Sequence, residues 1–381
     1  MAAMHCESRS CCGVNLIFGA IASAMRPGRL MVAAFSLAIL VGGGMLWDTC
    51  AGPLQGDAGP GAFESATVHV QHALAGVQSS VLDLSPRGVA DGLIALTWGT
   101  PASLWAAGGQ WFVIVWGLFA LLVLTLSLGL QSRYEALVVA QCQPPSMDRL
   151  TSEVSTLGPA FVGSWLAPLA IAGVLAGIIL LGSAVLLNIP VLNILGGVAW
   201  GAVLLAALCL ALVLLGLAWA GALLVPIIAV DGAAGPDAMH RAATAATTHP
   251  FRWVLCIALI GFGLGIGLWL LDLLLAMTAW LAVSIGDAWV LNDAFTVGTD
   301  PSASTDAGWI TRLTGDILAF WLGLLQWIFA GWVLCYIAAA TTRAWIVMRR
   351  AVDGTDMHDI WTPDRMRGTL APLASAPSDD A

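Results

Sequence analysis

The chain has 381 residues, and its composition excludes a soluble globular protein. Hydrophobic residues make up 59% of the chain, charged residues make up 10%, and the mean hydropathy is +0.89. A soluble domain has about 25% charged residues, so this chain has too few polar side chains to cover a water-facing surface of its size. The net charge of -9 argues against a nucleic-acid partner, because nucleic acid attracts basic surfaces.

Six apolar segments are long enough to cross a bilayer, for which about 20 residues are needed. They run from about 30 to 46, 111 to 130, 161 to 187, 195 to 225, 253 to 280 and 317 to 348. The sequence therefore predicts an all-α integral membrane protein, a six-helix transmembrane bundle surrounded by lipid bilayer. Residues 1–29 form a cytosolic segment before this membrane domain (30–348), and 349–381 form a cytosolic tail that we expect to be partly disordered.

A signal peptide is the competing interpretation of the first apolar segment, because Arg26 and Arg29 precede a short apolar run. However, the region before this run is unusually long for a signal peptide. The residues after it, from Trp47 to Cys50, also lack the small side chains that cleavage or lipidation requires. We therefore interpret this segment as a retained anchor.

The longest polar stretch, 48–110, is predicted to form a small helical cap outside the cytoplasm. Side chains suited to one helix face recur there at three- and four-residue steps, as in an amphipathic helix. They are Phe63, Thr67, Val70, Leu74, Val77 and Val81. Trp98 and Trp105 follow, and Trp favours the membrane interface. We expect residues 131–158 to be a polar cytosolic loop and 287–316 an acidic outer loop.

The arginines predict the orientation, because basic residues near the ends of spans stay in the cytoplasm. With the N-terminus inside, every arginine except Arg87 and Arg312 falls on the cytosolic side. The opposite orientation inverts this distribution. The sequence therefore predicts that both termini are cytosolic.

Two cytosolic elbows repeat the same residues. Residues 229–232 after the fourth span and 351–354 after the sixth both read Ala-Val-Asp-Gly, and Met-His follows each of them. Chance in a chain rich in Ala, Gly and Val is one explanation; three repeated membrane hairpins are the other. A short helix within 231–251 is expected to dock on the bundle through small alanines. The elbow residues that we select as candidate docking residues are Asp231, Gly232, Asp237, Arg241, Asp353 and Gly354.

This pattern resembles a known group of proteins. A proline at the end of a span, an apolar-Asp-Gly elbow, a short Ala/Met-Arg helix and Pro-aromatic before the next span are similar to bacterial inner-membrane proteins of two kinds. These are the membrane domain attached to some glycerophosphodiester phosphodiesterases and the YciC-like proteins of unknown function. The residues that carry the resemblance are Pro226, Val230, Asp231, Gly232, Asp237, Ala238, Arg241, Pro250 and Trp253. The resemblance implies a membrane module in a bacterial inner membrane, without the soluble barrel that cleaves phosphodiesters.

Asp272 is the one acid well inside an apolar run, and intramembrane carboxylates are candidate functional sites. One interpretation is a proton- or cation-handling site with Gln326 on the sixth span. The others are a carboxylate that reaches the outer interface, which we favour, and a structural hydrogen bond between helices.

No metal or cofactor site is predicted. His69 and His72 lie three residues apart and could hold a metal with Glu64 or Asp91, but the spacing fixes no third ligand, so a solvated helix face is the preferred interpretation. Likewise, the sequence contains no nucleophile elbow, no phosphate-binding loop and no zinc-protease motif.

We therefore expect a non-catalytic multi-pass membrane protein that acts in transport or membrane organisation within an assembly. Its partner would be another membrane protein or a second copy of the chain. The alternative is an intramembrane lipid-processing enzyme or a proton-coupled carrier that uses Asp272.

Overall fold

The computed structural model describes residues 13–52, 54, 59–83, 85–141, 144–188, 192–287, 309–356 and 358–362. Within these ranges the chain is helical, without a strand. The helices are α1 (Gly13–Ala24), α2 (Pro27–Ala51), α3 (Ala62–Leu82), α4 (Pro86–Ile94), α5 (Thr100–Ala106), α6 (Gln110–Gln141), α7 (Met147–Asn188), α8 (Leu192–Ala220), α9 (Leu224–Asp231), α10 (Gly235–Thr248), α11 (Pro250–Asp287) and α12 (Trp309–Val352). A π-helical turn (Ala95–Gly99) joins α4 to α5, and a 3₁₀ turn (Gly221–Leu223) joins α8 to α9.

The predicted all-α, six-span membrane fold is confirmed. Six segments are long and apolar enough to cross a bilayer. They are Pro27–Ala51, Gln110–Gln141, Met147–Ala184, Trp200–Asp231, Pro250–Thr278 and Trp327–Val352. The protein is therefore a multi-pass membrane protein, and lipid is its environment.

Several helices extend further than the sequence predicted. The expected polar loop 131–158 is almost entirely helical, since α6 continues to Gln141 and α7 begins at Met147. The start of α12 at Trp309 takes in the last part of the expected outer loop, of which 288–308 lie outside the described residues. For α6 and α7 the cause is burial, because charged side chains such as Glu135 and Glu153, which seemed to require water, find partners on neighbouring helices.

The chain divides into two units, and residues 1–33 and 125–381 belong to the first. Its main core lies where α6 and α12 end and α7 begins; we call this the elbow end. Residues Leu223 to Val230 contribute an unbroken series of buried side chains there. Helix α10 packs on this core through Ala238, Ala242 and Ala246, as its small-residue face predicted. Away from the elbow end, α7, α8, α11 and α12 expose many large apolar side chains, as lipid-facing helices do.

Helix α1, which the sequence did not reveal, fills a gap in the first unit between α11 and α12. Its residues Ile17, Ala20 and Ala24 are buried, and the ring of Phe18 meets that of Phe262 edge-on at 6.3 Å. The region before the first span is therefore partly a core helix.

The second unit, 34–124, contains helices at the predicted cap. An aromatic cluster joins Trp47 to Phe112, whose rings lie 5.8 Å apart, and Phe112 stacks on Trp116 at 5.1 Å. The carboxylate of Asp48 accepts hydrogen bonds from the backbone N–H groups of Phe63 and Glu64, at 2.9 and 3.0 Å. These bonds cap the N-terminus of α3, where helix N–H groups have no partner within the helix.

Candidate functional site

A break in the fourth span begins the elbow. The 3₁₀ turn after Ala220 interrupts the α-helical hydrogen bonding, and Pro226 lacks the N–H that would continue it. The indole of Trp253 at the start of α11 donates a hydrogen bond to the carbonyl oxygen of Trp219, at 2.8 Å. The two spans are thus joined at the point where the backbone of one is irregular.

The C-terminus of α9 is capped by Gly232 and by two distant parts of the chain. Gly232 adopts the left-handed conformation (φ 66°) and its N–H bonds the carbonyl of Ile228 at 2.9 Å. The carbonyl of Ala229 accepts from the guanidinium of Arg133 at 2.6 Å, and that of Val230 accepts from the N–H of Trp361 at 2.8 Å. The positive charge of Arg133 at this position also interacts favourably with the negative end of the helix dipole.

The Asp231 side chain, only 7% exposed, ends α9 as the centre of a charge cluster. It accepts from Arg349 of α12 at 2.7 Å and from the indole N–H of Trp345 at 3.2 Å. Arg349 contacts Oδ1 and Trp345 contacts Oδ2. Arg241 of α10 lies 3.6 Å from Oδ2 and also pairs with Asp237 at 3.0 Å. The elbow residues Asp231, Asp237 and Arg241 are therefore brought together.

A second buried pair lies between α6 and α7. Arg133 is fully buried and contacts Glu153 at 2.6 Å, and Arg149 reaches the other oxygen of the same carboxylate at 2.8 Å. The remaining donors of Arg133 bond the carbonyl of Trp361 at 2.7 Å and that of Ala229. One side chain thus ties α6 to α7, to α9 and to the segment after α12.

Glu135 is the third buried carboxylate, and it joins α1, α2, α6 and α12. One oxygen accepts from Arg343 at 2.5 Å, and the other accepts from Ser23 at 2.5 Å and from Arg29. Arg29 also donates to the side chain of Gln131 at 2.7 Å. Arg29 and Glu135 are each buried at the side chain, at 2% and 0% exposure.

The three clusters share one design, in which a carboxylate bridges two arginines from different elements or turns. Glu135, Glu153 and Asp231 are held in this way. Their oxygens are already occupied by guanidinium and indole donors, so the arrangement suits the fixing of helices better than acid–base chemistry. Removing one partner of such a buried pair costs several kcal/mol, because it strands a charge. We call these residues the arginine–carboxylate network.

The second elbow shares the backbone of the first but not its contacts. Gly354 has φ 67°, close to the value at Gly232, and it follows the end of α12. Asp353, in contrast, is exposed, whereas Asp231 is enclosed by arginines. The repeated sequence thus forms the same type of helix C-terminus in two different environments.

Asp272 lies on the exposed side of α11, between the exposed side chains of Leu270 and Leu273. It has no hydrogen-bond or ion-pair partner in the part of the chain that the structure describes. Gln326 belongs to α12, but its side chain lies outside the described residues. Their pairing remains a prediction.

His69, His72 and Asp91 line one open groove of about 530 Å³ in the second unit, between α3 and the helices that follow. Among the described residues no group of three potential metal ligands occurs. Nδ1 of His69 contacts the carbonyl oxygen of Ser65 at 2.8 Å, on its own helix.

Sequence reasoning missed most of the arginine–carboxylate network. The residues missed as site residues are Arg29, Arg133, Glu135, Arg149, Glu153, Arg343 and Arg349. One signal was present: the polar group 131–135 has apolar residues on both sides, Leu130 before it and Ala136 to Val139 after it. When a helix has apolar residues on both sides of a charged group, the pattern predicts that the charged side chains are buried.

No family model, curated protein or solved structure matches this chain. In its described ranges the structure shows a multi-pass, helical membrane protein with a network of buried charges at one end.

Proposed function

We propose that this protein is a non-catalytic component of a bacterial inner membrane that organises the membrane or a transport assembly. The elbow end would serve as a rigid platform in the cytosol, with both chain termini on the same side. The resemblance to the phosphodiesterase membrane domain and the YciC-like group supports this location, and its residues Pro226, Asp231 and Arg241 contribute to a single connected elbow.

The distribution of arginines supports the cytosolic placement of the elbow end. Most arginines in the described ranges lie at that end, in the turns and helix termini around the network. Arg312, at the other end of α12, and Arg87, in the second unit, are the exceptions. Retention of positive charge on the cytoplasmic side would account for this asymmetry.

The observation that carries the non-catalytic assignment is the saturation of the buried carboxylates. A general acid, a general base or a proton carrier needs a carboxylate that can exchange its proton with a substrate or with water. Glu135, Glu153 and Asp231 each bind two arginines instead. Such pairs hold helices together in one arrangement.

A docking face for another protein or a second copy of this chain is available on α10. Its alanines Ala238 and Ala242 face the core, while Asp237, His240 and Arg241 are exposed. Arg241 on this face also contacts Asp231, so a bound partner would contact the arginine–carboxylate network directly.

The competing function, a carrier or lipid-processing enzyme that uses Asp272, receives less support. Counted from Trp253, Asp272 lies about 28 Å further along α11 at about 1.5 Å per residue. This distance approaches the roughly 30 Å thickness of the bilayer core. Together with its exposure, it favours a carboxylate that reaches the interface opposite the elbow end.

Hydrogen exchange in lipid nanodiscs separates the two functions without knowledge of a substrate. Asp272→Asn mimics the protonated acid, so it would shift the conformational equilibrium of a proton-coupled carrier and alter amide protection far from the substitution. For a rigid platform, we expect the protection of α9 in Asp272→Asn to equal that of the wild type. Asp316→Asn, an exposed acid on α12, is the matched control.

A change in α9 protection of tenfold or more in Asp272→Asn, with Asp316→Asn unchanged, would contradict the proposal in favour of a carrier. Phospholipids recovered from the same nanodiscs test the enzymatic alternative. We expect their composition to be unaltered; cleaved or modified lipid that disappears with Asp272→Asn would overturn the non-catalytic assignment.

A further inference from the structure

A small cleft opens at the turn between α1 and α2, where the elbow end meets the start of a span. Its volume is about 50 Å³, and its lining includes Arg26, Gly28, Val32, Tyr134, Met147 and Leu150. The candidate span begins at Pro27, so Arg26 stands immediately outside it. The cleft therefore has a basic rim and an apolar wall at the level where lipid headgroups lie.

Arg26 differs from the other enclosed arginines of the described chain. Arg29, Arg133, Arg343 and Arg349 are buried or half-buried, and each has a carboxylate within ion-pair distance. Arg26 is half-buried but has no carboxylate partner in the described ranges. Burying a guanidinium without a counter-charge is unfavourable, so a ligand that supplies one would bind favourably here.

The guanidinium is nevertheless held in place. It donates a hydrogen bond to the phenolic oxygen of Tyr134 at 3.0 Å and lies 5.8 Å from the centre of the same ring. Arg29 also lies 5.2 Å from the centre of this ring, but it pairs with Glu135, which is itself shared with Arg343. A network in which carboxylates bridge pairs of arginines carries a positive surplus, and Arg26 adds to it at the mouth of the cleft.

The surroundings select the kind of anion. The volume is too small for a nucleotide or a sugar, but it admits the oxygens of a phosphate group. Apolar side chains are exposed close to it in sequence, since Met25 in the turn and Met31 on α2 are 47% and 73% exposed. A headgroup phosphate at Arg26 would place its acyl chains along this apolar surface.

We propose that this cleft binds the phosphate of an anionic phospholipid, with Arg26 as the contacting cation and Tyr134 as the residue that positions it. Basic pockets between transmembrane helices on the cytoplasmic side are suited to such headgroups, and the guanidinium matches phosphate oxygens in geometry. This assignment does not depend on the proposed function, since a carrier or an enzyme could bind the same lipid.

Native mass spectrometry of the full-length protein in mild detergent tests the site. Wild-type protein is titrated with phosphatidylglycerol, with phosphatidylcholine of the same acyl chains, and with inorganic phosphate. We expect retention of phosphatidylglycerol in preference to phosphatidylcholine, and about tenfold weaker binding in Arg26→Gln, the loss expected for one charge-assisted hydrogen bond. Tyr134→Phe should weaken binding less, because it keeps the ring and removes only the bond that orients Arg26.

Two further variants make the test specific to the cleft. Gly28→Leu should block binding while it keeps Arg26, because Gly28 lines the cleft. The fold can accept a side chain there, since a Cβ at Gly28 would meet no other atom within 4 Å. Arg252→Gln removes an exposed arginine at the start of α11 and should leave binding unchanged. Thermal unfolding in detergent confirms that each variant folds.

Equal retention of the two lipids would overturn the proposal, as would equal losses in Arg26→Gln and Arg252→Gln. Retention of inorganic phosphate at the same affinity as phosphatidylglycerol would assign the cleft to free phosphate and so overturn the lipid assignment.

Discussion

Arginine is the residue that holds the elbow end together, and its shape explains why. All 14 basic residues of the chain are Arg. Arg133 shows the consequence: its guanidinium bonds Glu153 and the carbonyl groups of Ala229 and Trp361 simultaneously. A planar group with five donors can satisfy three partners in fixed directions, whereas the ammonium of Lys is a point charge.

Glu135→Gln is the sharpest test of the network at the level of one residue. The amide cannot neutralise Arg29 and Arg343, so two guanidinium groups would remain in a buried site without a counter-charge. We expect the free energy of unfolding to fall by about 3–5 kcal/mol. Unfolding by denaturing detergent in mixed micelles measures this change.

Asp353→Asn is the control for Glu135→Gln, because Asp353 is exposed at the second elbow. Its expected effect is within about 0.5 kcal/mol, as for most surface substitutions. Equal effects of the two variants would show that the Glu135 cluster does not stabilise the fold.

At the scale of the elements, the two elbows show what a short repeat specifies. Both end a helix with a glycine in the left-handed region, at φ 66° in Gly232 and φ 67° in Gly354. A Cβ on Gly232 would run into the ring of Trp361, whereas a Cβ on Gly354 would meet no other atom within 4 Å. Both elbows require a residue with positive φ, and only the first also requires the absence of a side chain beside Trp361.

This difference predicts unequal effects of the same substitution. Gly354→Ala should cost only the left-handed conformation, about 1–2 kcal/mol. Gly232→Ala should cost that amount and a further ~1–3 kcal/mol, because the methyl group overpacks the contact with Trp361. Parallel unfolding measurements on the two variants provide the comparison. Equal losses would mean that Trp361 does not pack on the first elbow.

At the scale of the whole molecule, the prediction concerns the side of the membrane that the elbow end faces. The hairpins α7–α8 and α11–α12 return the chain to this end, so both elbows must share one compartment. The excess of arginines predicts that this compartment is the cytosol.

Labelling of single cysteines tests this orientation in intact cells. In a background without the eight native cysteines, His240→Cys on α10, Asp353→Cys at the second elbow and His72→Cys on α3 all place a thiol at an exposed position. We expect a membrane-impermeant maleimide to label only His72→Cys until the cells are permeabilised. Labelling of His240→Cys in intact cells would contradict the predicted orientation, and opposite results at His240 and Asp353 would contradict the hairpin arrangement itself.

The candidate site was predicted in part. The Asp-Gly elbow was visible because a helix end needs a glycine with positive φ and a polar residue beside it, and these requirements are local. Arg29 and Glu135 were missed as site residues because they are distant in sequence and meet only where the start of α2 reaches α6. Asp272 was selected as a candidate because it is the one acid well inside an apolar run, and its side chain is exposed in the structure.

The sequence by itself determined that this is a six-span membrane protein, because the length and apolarity of a span are properties of consecutive residues. It also determined the helix endings at both elbows and the small face of α10, which follow from spacing along one helix. Only the tertiary structure decided that 131–141 and 147–158 are helical and that Arg133, Glu135 and Glu153 in them are buried. The physical reason is that a charged side chain can leave water only when opposite charges and donors are already in place, and here neighbouring helices supply them.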